Sequence, residues 1–203
     1  MGNFLIGSFY TQHTLYEEVI EHYLIPSCKR FSLDYHIVAT PNRGSWGRNV
    51  AEKPSVILQI LTSLEEKKNL VFLDADATIE KDLKLFNEIP EEYDIAVHHL
   101  DWNTWYQNGS NVKELLSGTL FFRNNERVKN LINQWHCRAV GTQQWEQKVL
   151  EQLLKERTDI KVFELPIEYC YIKTLPTGQE PFVKCDPVIV HHQVSRQMKR
   201  IIR

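Results

Sequence analysis

Residues 70–79 read LVFLDADATI, four apolar residues that run straight into Asp74-Ala75-Asp76. A strand that is apolar throughout is what a sheet with both faces covered requires. The stretch therefore predicts a buried strand with Asp74 just past its end. Asp76 lies two residues on, and an extended chain sends both carboxylates to the same side. Two hard oxygen ligands that close suit a divalent cation such as Mg²⁺ or Mn²⁺. The plain alternative is a pair of solvated loop acids. Two carboxylates with little else polar directly beyond a wholly apolar strand argue against it.

Upstream of this strand, NFLIGSFY reads as a first strand, closed by Tyr10 and Thr11. Thr14 with Glu17 three residues later fits a capping box, and Leu15, Val19, Ile20, Tyr23 and Leu24 follow at helical spacing. Pro26 ends or bends that helix. DYHIVAT is a second strand, residues 42–54 are polar and Gly-bearing and read as a loop, and SVILQILTSLEEKK is a second helix. Downstream, YDIAVHHL is a fourth strand. DWNTWYQNGSNV places aromatic residues amid Asn, Gln and Gly and reads as a surface loop. GTLFFR is a further short strand. Val128, Leu131, Ile132 and Trp135 mark one helix, and Trp145, Val149, Leu150, Leu153 and Leu154 another. IKVFELP and PVIVHH are late strands. Such alternation predicts one α/β domain over residues 1–203, with a mainly parallel central sheet and helices on both faces. Ligands of such sheets bind beyond the carboxyl ends of the strands.

Composition narrows the function classes. Hydrophobic residues make up 42% of 203, enough for a real core and against global disorder. The 24 basic residues against 26 acidic ones argue against a dedicated nucleic-acid coat. The local exception is the basic tail SRQMKRIIR, for which a solvated end is the default expectation. MGNFLIGSFYTQ lacks the basic region of a signal peptide, and no stretch approaches a bilayer span. Cys28, Cys137, Cys170 and Cys185 are far apart and form no CxxC pair. Together these points lead to the expectation of a cytoplasmic chain with free thiols.

Three chemistries compete for DADAT. An EF-hand loop fails, because its sharp-turn position holds Ile79 and its bidentate position holds Leu85. A haloacid-dehalogenase-like phosphatase uses Asp-x-Asp-x-Thr, with one Asp as nucleophile and the next as general acid. Here, however, a full strand–helix–strand–helix unit precedes the motif, and no later DD or GDxxxD pair follows. The third is a diphosphate-metal site.

On this third reading, VFLDADATI, SGTLFF, QQWEQKVLEQLL and PVIVHHQVSR together resemble the pattern of the GT-A fold glycosyltransferases, the nucleotide-diphospho-sugar transferases with a DxD motif. The resemblance covers nearly the whole chain. It implies a nucleotide-binding half (residues 1–80) and a sugar and acceptor half (residues 81–203). It also implies Mn²⁺ or Mg²⁺ held by Asp74, Asp76 and a late His. His191 follows the apolar run directly and His192 is the alternative, since both cannot point the same way on a strand. Asp74 would contact the metal or the ribose. Tyr10 and Thr11 would hold the base, and Lys53 would reach a base or phosphate. Ala75, Ser117, Gly118 and Thr119 would line the donor, with Gly118 admitting close backbone approach. Ser195 and Arg196 would contact the diphosphate. Arg43 and Arg48 are further basic candidates.

The implied reaction moves a sugar from a nucleoside diphosphate sugar, a uridine one first, to an acceptor that is a glycan, a lipid or a modified nucleic acid. Inversion needs a carboxylate base near the acceptor hydroxyl. Glu146, beside Gln147 at a helix start, and Asp101 are the candidates. Glu146 at that position also simply favours its helix. Retention needs no such base. Trp102, Trp105 and Tyr106 are placed to stack on a sugar ring or a nucleobase. The reading outside enzymes is a domain that binds a sugar nucleotide without turnover.

Overall fold

A computed structural model describes residues 3–65, 67–142, 144–175 and 178–194. In chain order the elements are β1 (Phe4–Thr11), α1 (Tyr16–His22), α2 (Leu24–Arg30), β2 (Tyr35–Thr40), α3 (Trp46–Val50), α4 (Lys53–Ser63), β3 (Asn69–Leu73) and β4 (Ala77–Ile79). They continue with α5 (Leu85–Glu88), β5 (Ile95–Asp101), α6 (Trp102–Tyr106), β6 (Lys113–Phe122), α7 (Glu126–Thr142), α8 (Glu146–Glu156) and β7 (Val162–Glu164). A 3₁₀ turn at Ile167–Tyr169, β8 (Tyr171–Ile172) and β9 (Ile189–His191) complete them.

Six strands form the central sheet in the order β2-β1-β3-β6-β5-β7. β1 runs parallel to β2 and β3, and β5 parallel to β7, while β6 runs antiparallel to both of its neighbours. The α/β expectation with a mostly parallel sheet therefore holds. β3 explains its own composition. Leu70 and Phe72 pack into a cluster with Ile57, Leu61, Leu131 and Trp135 from α4 and α7. Val71 and Leu73 face the opposite cluster, with Ile20, Leu24 and Cys28 from α1 and α2. Successive side chains leave opposite faces, and both faces are covered, so the strand is apolar from Leu70 to Leu73; Asn69 at its start is buried too and accepts from Asn124 N–H at 3.2 Å.

The decisive stretch does not continue as one strand. Ala77 N–H donates to the Asp74 carbonyl at 3.0 Å, so Asp74-Ala75-Asp76 is a tight turn. β4 beyond it joins a second, three-stranded sheet, β4-β9-β8. Hydropathy could not separate the two pieces, because Ala77 and Ile79 are buried as well.

Several local expectations also change. Leu15 takes the cap position of α1 and offers no side-chain cap, while the Thr14 hydroxyl one residue earlier accepts from Tyr16 N–H at 3.2 Å and donates to the Thr11 carbonyl at 2.6 Å. Glu17 accepts from His13 N–H at 2.8 Å rather than from Thr14, so the capping box is only half made. Pro26 lies in the first turn of α2, where a missing N–H does little harm, after a break at Tyr23. The stretch 42–54 contains α3, capped by Ser45 accepting from Arg48 N–H, and α4 begins at Lys53 and stops at Ser63 rather than running through EEKK. The 101–112 stretch contains α6, and Trp105 is 1% exposed against Leu116, Cys170 and Ile172. GTLFFR is the end of β6, a strand of 10 residues.

Among the described residues, no helix is long and apolar enough to cross a membrane. All four cysteines carry free thiols.

Candidate active site

The site lies where β3 ends. Its turn is tied to the neighbouring strand by Asp74 N–H donating to the Gly118 carbonyl at 2.9 Å. β9 pairs antiparallel with β4 in the register Ala77 to His191, which sets His191 beside the turn. His192 N–H donates to the Asp76 carbonyl, and Val194 N–H donates to Asp76 Oδ2 at 2.9 Å. The result is a cluster in which ligand atoms of Asp74, Asp76 and His191 all lie within 4.8 Å of one another. The turn, rather than an extended backbone, brings the two carboxylates together.

A divalent cation fits this cluster on its own chemistry. His191 is 2% exposed, yet its Nδ1 has no hydrogen-bond partner. Asp76 Oδ1 stands 3.8 Å from that nitrogen, beyond hydrogen-bond reach. Thr119 Oγ1 lies 2.8 Å from Nε2. If the hydroxyl accepts from Nε2–H, the Nδ1 lone pair is left aimed at the acids, the usual way in which an outer partner orients a ligating imidazole. Burial pulls the His191 ring down, but the neighbouring Cys170 and Asp76 outweigh it and shift it upward. Burial raises the Asp76 carboxyl, and His191 with the Val194 N–H more than offsets this, leaving it below the ordinary range. Each of the two groups is thus among the causes of the other's shift.

Gly118 lines the cavity and packs against His191. A Cβ there would stand 2.9 Å from His191 Cε1 and 3.0 Å from Nδ1, with no room between. His192 leaves the strand on the opposite side. It meets Thr78 Oγ1 at 3.1 Å and lies against Tyr23, with ring centroids 4.4 Å apart and planes tilted by 34°, so it takes no place in the cluster.

Beside the cluster, Lys53 is 4% exposed. Its ammonium sits 2.9 Å from Asp74 Oδ1, 2.9 Å from Glu146 Oε1 and 3.1 Å from Ser117 Oγ. Burial alone would lower its pKa, but the two carboxylates raise it, so the group stays charged. Glu146 also accepts from Ser117 Oγ at 2.9 Å and from Gln147 N–H. Gln147 accepts from Ser117 N–H at 3.2 Å and donates to Glu114 at 3.0 Å. Trp135 from α7 donates to the Glu146 carbonyl at 2.7 Å and fixes the start of α8. Lys53 thus meets acids rather than solvent.

These groups line one cavity of about 290 Å³, together with Tyr10, Thr11, Ala75, Ser117 and Gly118. Thr119 stands behind it against His191. Asp101 is elsewhere: it caps α6 by accepting from Thr104 N–H at 2.9 Å and is not among the residues that line this cavity. Arg43 pairs with Glu52 at 3.0 Å, away from the cavity. Trp105 is buried core, and Trp102 donates to Glu114 at 3.1 Å, so of that stretch only Tyr106 lines the cavity. Ser195 and Arg196 lie outside the described residues.

Several lining residues carry no signal that sequence reasoning used, among them Glu114, Cys170, Trp46 and Asn49. Glu114 sits at the start of a strand that was read too short. Trp46 lies in a stretch read as loop. Cys170 precedes a two-residue strand that leaves no pattern in sequence.

Comparison with known proteins gives this geometry a family. Residues 19–200 match the family model described as nucleotide-diphospho-sugar transferase. The crystal structure of a glycosyltransferase involved in glycosylation of the major capsid of PBCV-1 is similar over 98% of both chains, at 14% identity and a TM-score of 0.71. The galactosyltransferase LgtC, solved with donor and acceptor sugar analogues, is 10% identical over 93% of this chain and 87% of its own, with a TM-score of 0.57. Mouse xyloside xylosyltransferase 1 is 8% identical over 95% and 98%, with a TM-score of 0.56. No curated protein sequence matches the chain significantly. With its GT-A fold, its DxD turn at the end of β3 and a family match over nearly its whole length, the chain belongs to the nucleotide-diphospho-sugar transferases and is a glycosyltransferase.

Proposed function

We propose that this glycosyltransferase uses a divalent cation, Mn²⁺ or Mg²⁺, held by Asp74, Asp76 and His191, and takes its sugar from a uridine diphosphate sugar. The observation that carries the metal is His191, whose buried Nδ1 has no partner and stands 3.8 Å from Asp76 Oδ1, and whose ring offers a nitrogen within 4.8 Å of ligand atoms on both acids. When bound, the cation neutralises charge on the diphosphate leaving group. The chain's own residues do the rest. Tyr10 and Thr11, at the end of β1, hold the base in the half formed by residues 1–80. Ser195 and Arg196 meet the diphosphate. Ser117, Gly118 and Gln147 line the sugar in the half formed by residues 81–203. Lys53 pairs with Asp74 and Glu146 and holds them in place.

We also propose that the anomeric configuration is retained. Inversion needs a carboxylate free to take the acceptor proton. Among the described residues, every carboxylate lining the cavity is engaged: Asp74 and Glu146 on Lys53, Asp76 on Val194 N–H, and Glu114 on Gln147 and Trp102.

The test is release of nucleoside diphosphate from a panel of sugar nucleotides, with and without Mn²⁺. Hydrolysis that needs the metal, stops with EDTA, and falls by roughly 10³-fold in Asp76→Ala supports the reading. A chain that ignores the whole panel but cleaves a phosphate monoester would be a phosphatase, and the proposal would be wrong. Proton NMR of the first transfer product reads the anomer directly.

A further inference from the structure

We infer that the acceptor is a carbohydrate, and that one of its pyranose rings stacks on Trp145 at the mouth of the cavity, with Trp46 bracing the indole from behind. The inference rests on the transferase reading and names the substrate class of that same site. Trp145 immediately precedes Glu146, at the N-terminal cap of α8. It is 41% exposed and is the one large hydrophobic residue, among those described as exposed, that also lines the cavity. Its ring centroid stands 6.1 Å from that of Trp46 in α3, with the planes at 58°. Two elements far apart in sequence therefore converge to hold a large apolar ring at the mouth of the cavity, with much of it in water. Such a ring is most useful when a ligand covers it.

The position of the ring separates it from the donor base. β1, with Tyr10 and Thr11, lies on one side of β3, while β6, with Ser117 and Gly118, lies on the other. Glu146 and Gln147 bond to Ser117, which ties the start of α8 to the β6 side, and from there the Trp145 ring reaches across to Trp46 of α3. A group stacked there approaches the sugar end of the donor rather than the nucleoside end.

The surroundings then select the class. A pyranose offers an apolar C–H face for an indole and a rim of hydroxyls that need polar partners. Asn49, Glu114 and Gln147 line the same cavity, and although each also bonds within the protein, the acceptor capacity left on their oxygens can meet such hydroxyls. A lipid chain would need a continuous apolar wall, which these polar groups interrupt. A nucleic-acid acceptor would need cations for its phosphates. Among the described residues the only Lys or Arg lining the cavity is Lys53, and it is committed to Asp74 and Glu146.

The experiment uses the full chain, the donor that it hydrolyses best, and methyl glycosides and disaccharides as acceptors. KM for acceptor and KM for donor are measured for the wild type, Trp145→Ala, Trp145→Phe and Trp46→Ala. The expected result is a rise in acceptor KM of roughly tenfold or more in Trp145→Ala, well beyond any change in donor KM. Trp145→Phe should recover most of the loss, because an aromatic face remains, and Trp46→Ala should give a smaller rise. Far-ultraviolet circular dichroism checks that each variant folds. If acceptor and donor KM move together, if Trp145→Ala changes neither, or if transfer occurs only to lipid or nucleic-acid acceptors, the inference is overturned. If the wild type hydrolyses no donor at all, the fault lies with the transferase reading itself.

Discussion

Two buried acids at opposite ends of the sheet make an instructive pair. Asp94 stands just before β5 begins and is 1% exposed. It accepts from Arg127 Nη2 at 2.9 Å, from Asn125 Nδ2 at 3.0 Å and from Lys161 N–H at 3.0 Å, and so joins the entries to α7 and β7. Its cation is half exposed. Glu146 stands at the end where the β3 turn lies, 2% exposed, and its cation Lys53 is buried with it and shared with Asp74. The Asp94 cluster is closed, with both of its carboxylate oxygens used inside the protein. The other cluster stays open on one side. Asp74 keeps 37% of its side chain exposed, and His191 Nδ1 has no partner. Buried charge alone therefore does not mark a site. What marks it is the polar capacity left over once the internal pairs have formed.

Substitutions can break this contrast. Lys53→Met should cost most, about 3–5 kcal/mol in chemical denaturation, because it strands Glu146 as an uncompensated buried charge. Turnover should be lost with it. Asp94→Ala should cost about 2–3 kcal/mol by the same measurement, while kcat per folded molecule stays at the wild-type value. Equal losses of activity in the two variants would show that both clusters serve the fold alone. Gly118→Ala should sharpen the contrast by displacing His191 without touching a charge. The expected result is about a tenfold loss of Mn²⁺ affinity by calorimetry, at the low end for disturbing a ligand's support. The smallest effect belongs to a third buried group. Burial pulls the His98 imidazole below its ordinary pKa, against its hydrogen bond to the Leu165 carbonyl. The unfolded chain then binds the extra proton first. This part of the stability is whole above about pH 6.5 and is lost as pH falls, by at most about 1.4 kcal/mol per pH unit. Thermal melts at pH 7 and pH 5.5 should converge in His98→Gln relative to the wild type.

The parts of the fold legible in the sequence were those with strong local patterns. An all-apolar β3 and the spaced apolar faces of α4, α7 and α8 declare themselves, because burial on both sides or on one stripe leaves a period. The elements missed were short ones held by their surroundings. α3 and α6 are single turns, and β8 has two residues. Trp105 looked exposed because Asn103, Thr104 and Gln107 surround it, yet one side of one turn suffices to bury an indole. Of the site, the acids and His191 were legible as candidates from the ends of apolar runs. The geometry brings them together, but by a turn rather than by the alternation expected. The pairing of Lys53 with Glu146 was not legible, since no spacing rule links α4 to α8. Nor was the true neighbour of Gly118, because its partner arrives on the other sheet.

That second sheet has a consequence for timing. Asp76 and Val194 are 118 residues apart and meet only when β9 docks on β4. A chain that has built its six-stranded layer but has not yet docked β9 has no imidazole near the acids. Contacts so distant in sequence are costly to close and tend to form late. The geometry of that corner is thus complete only once β9 has docked: before that, the aspartates stand without the imidazole that closes their cluster.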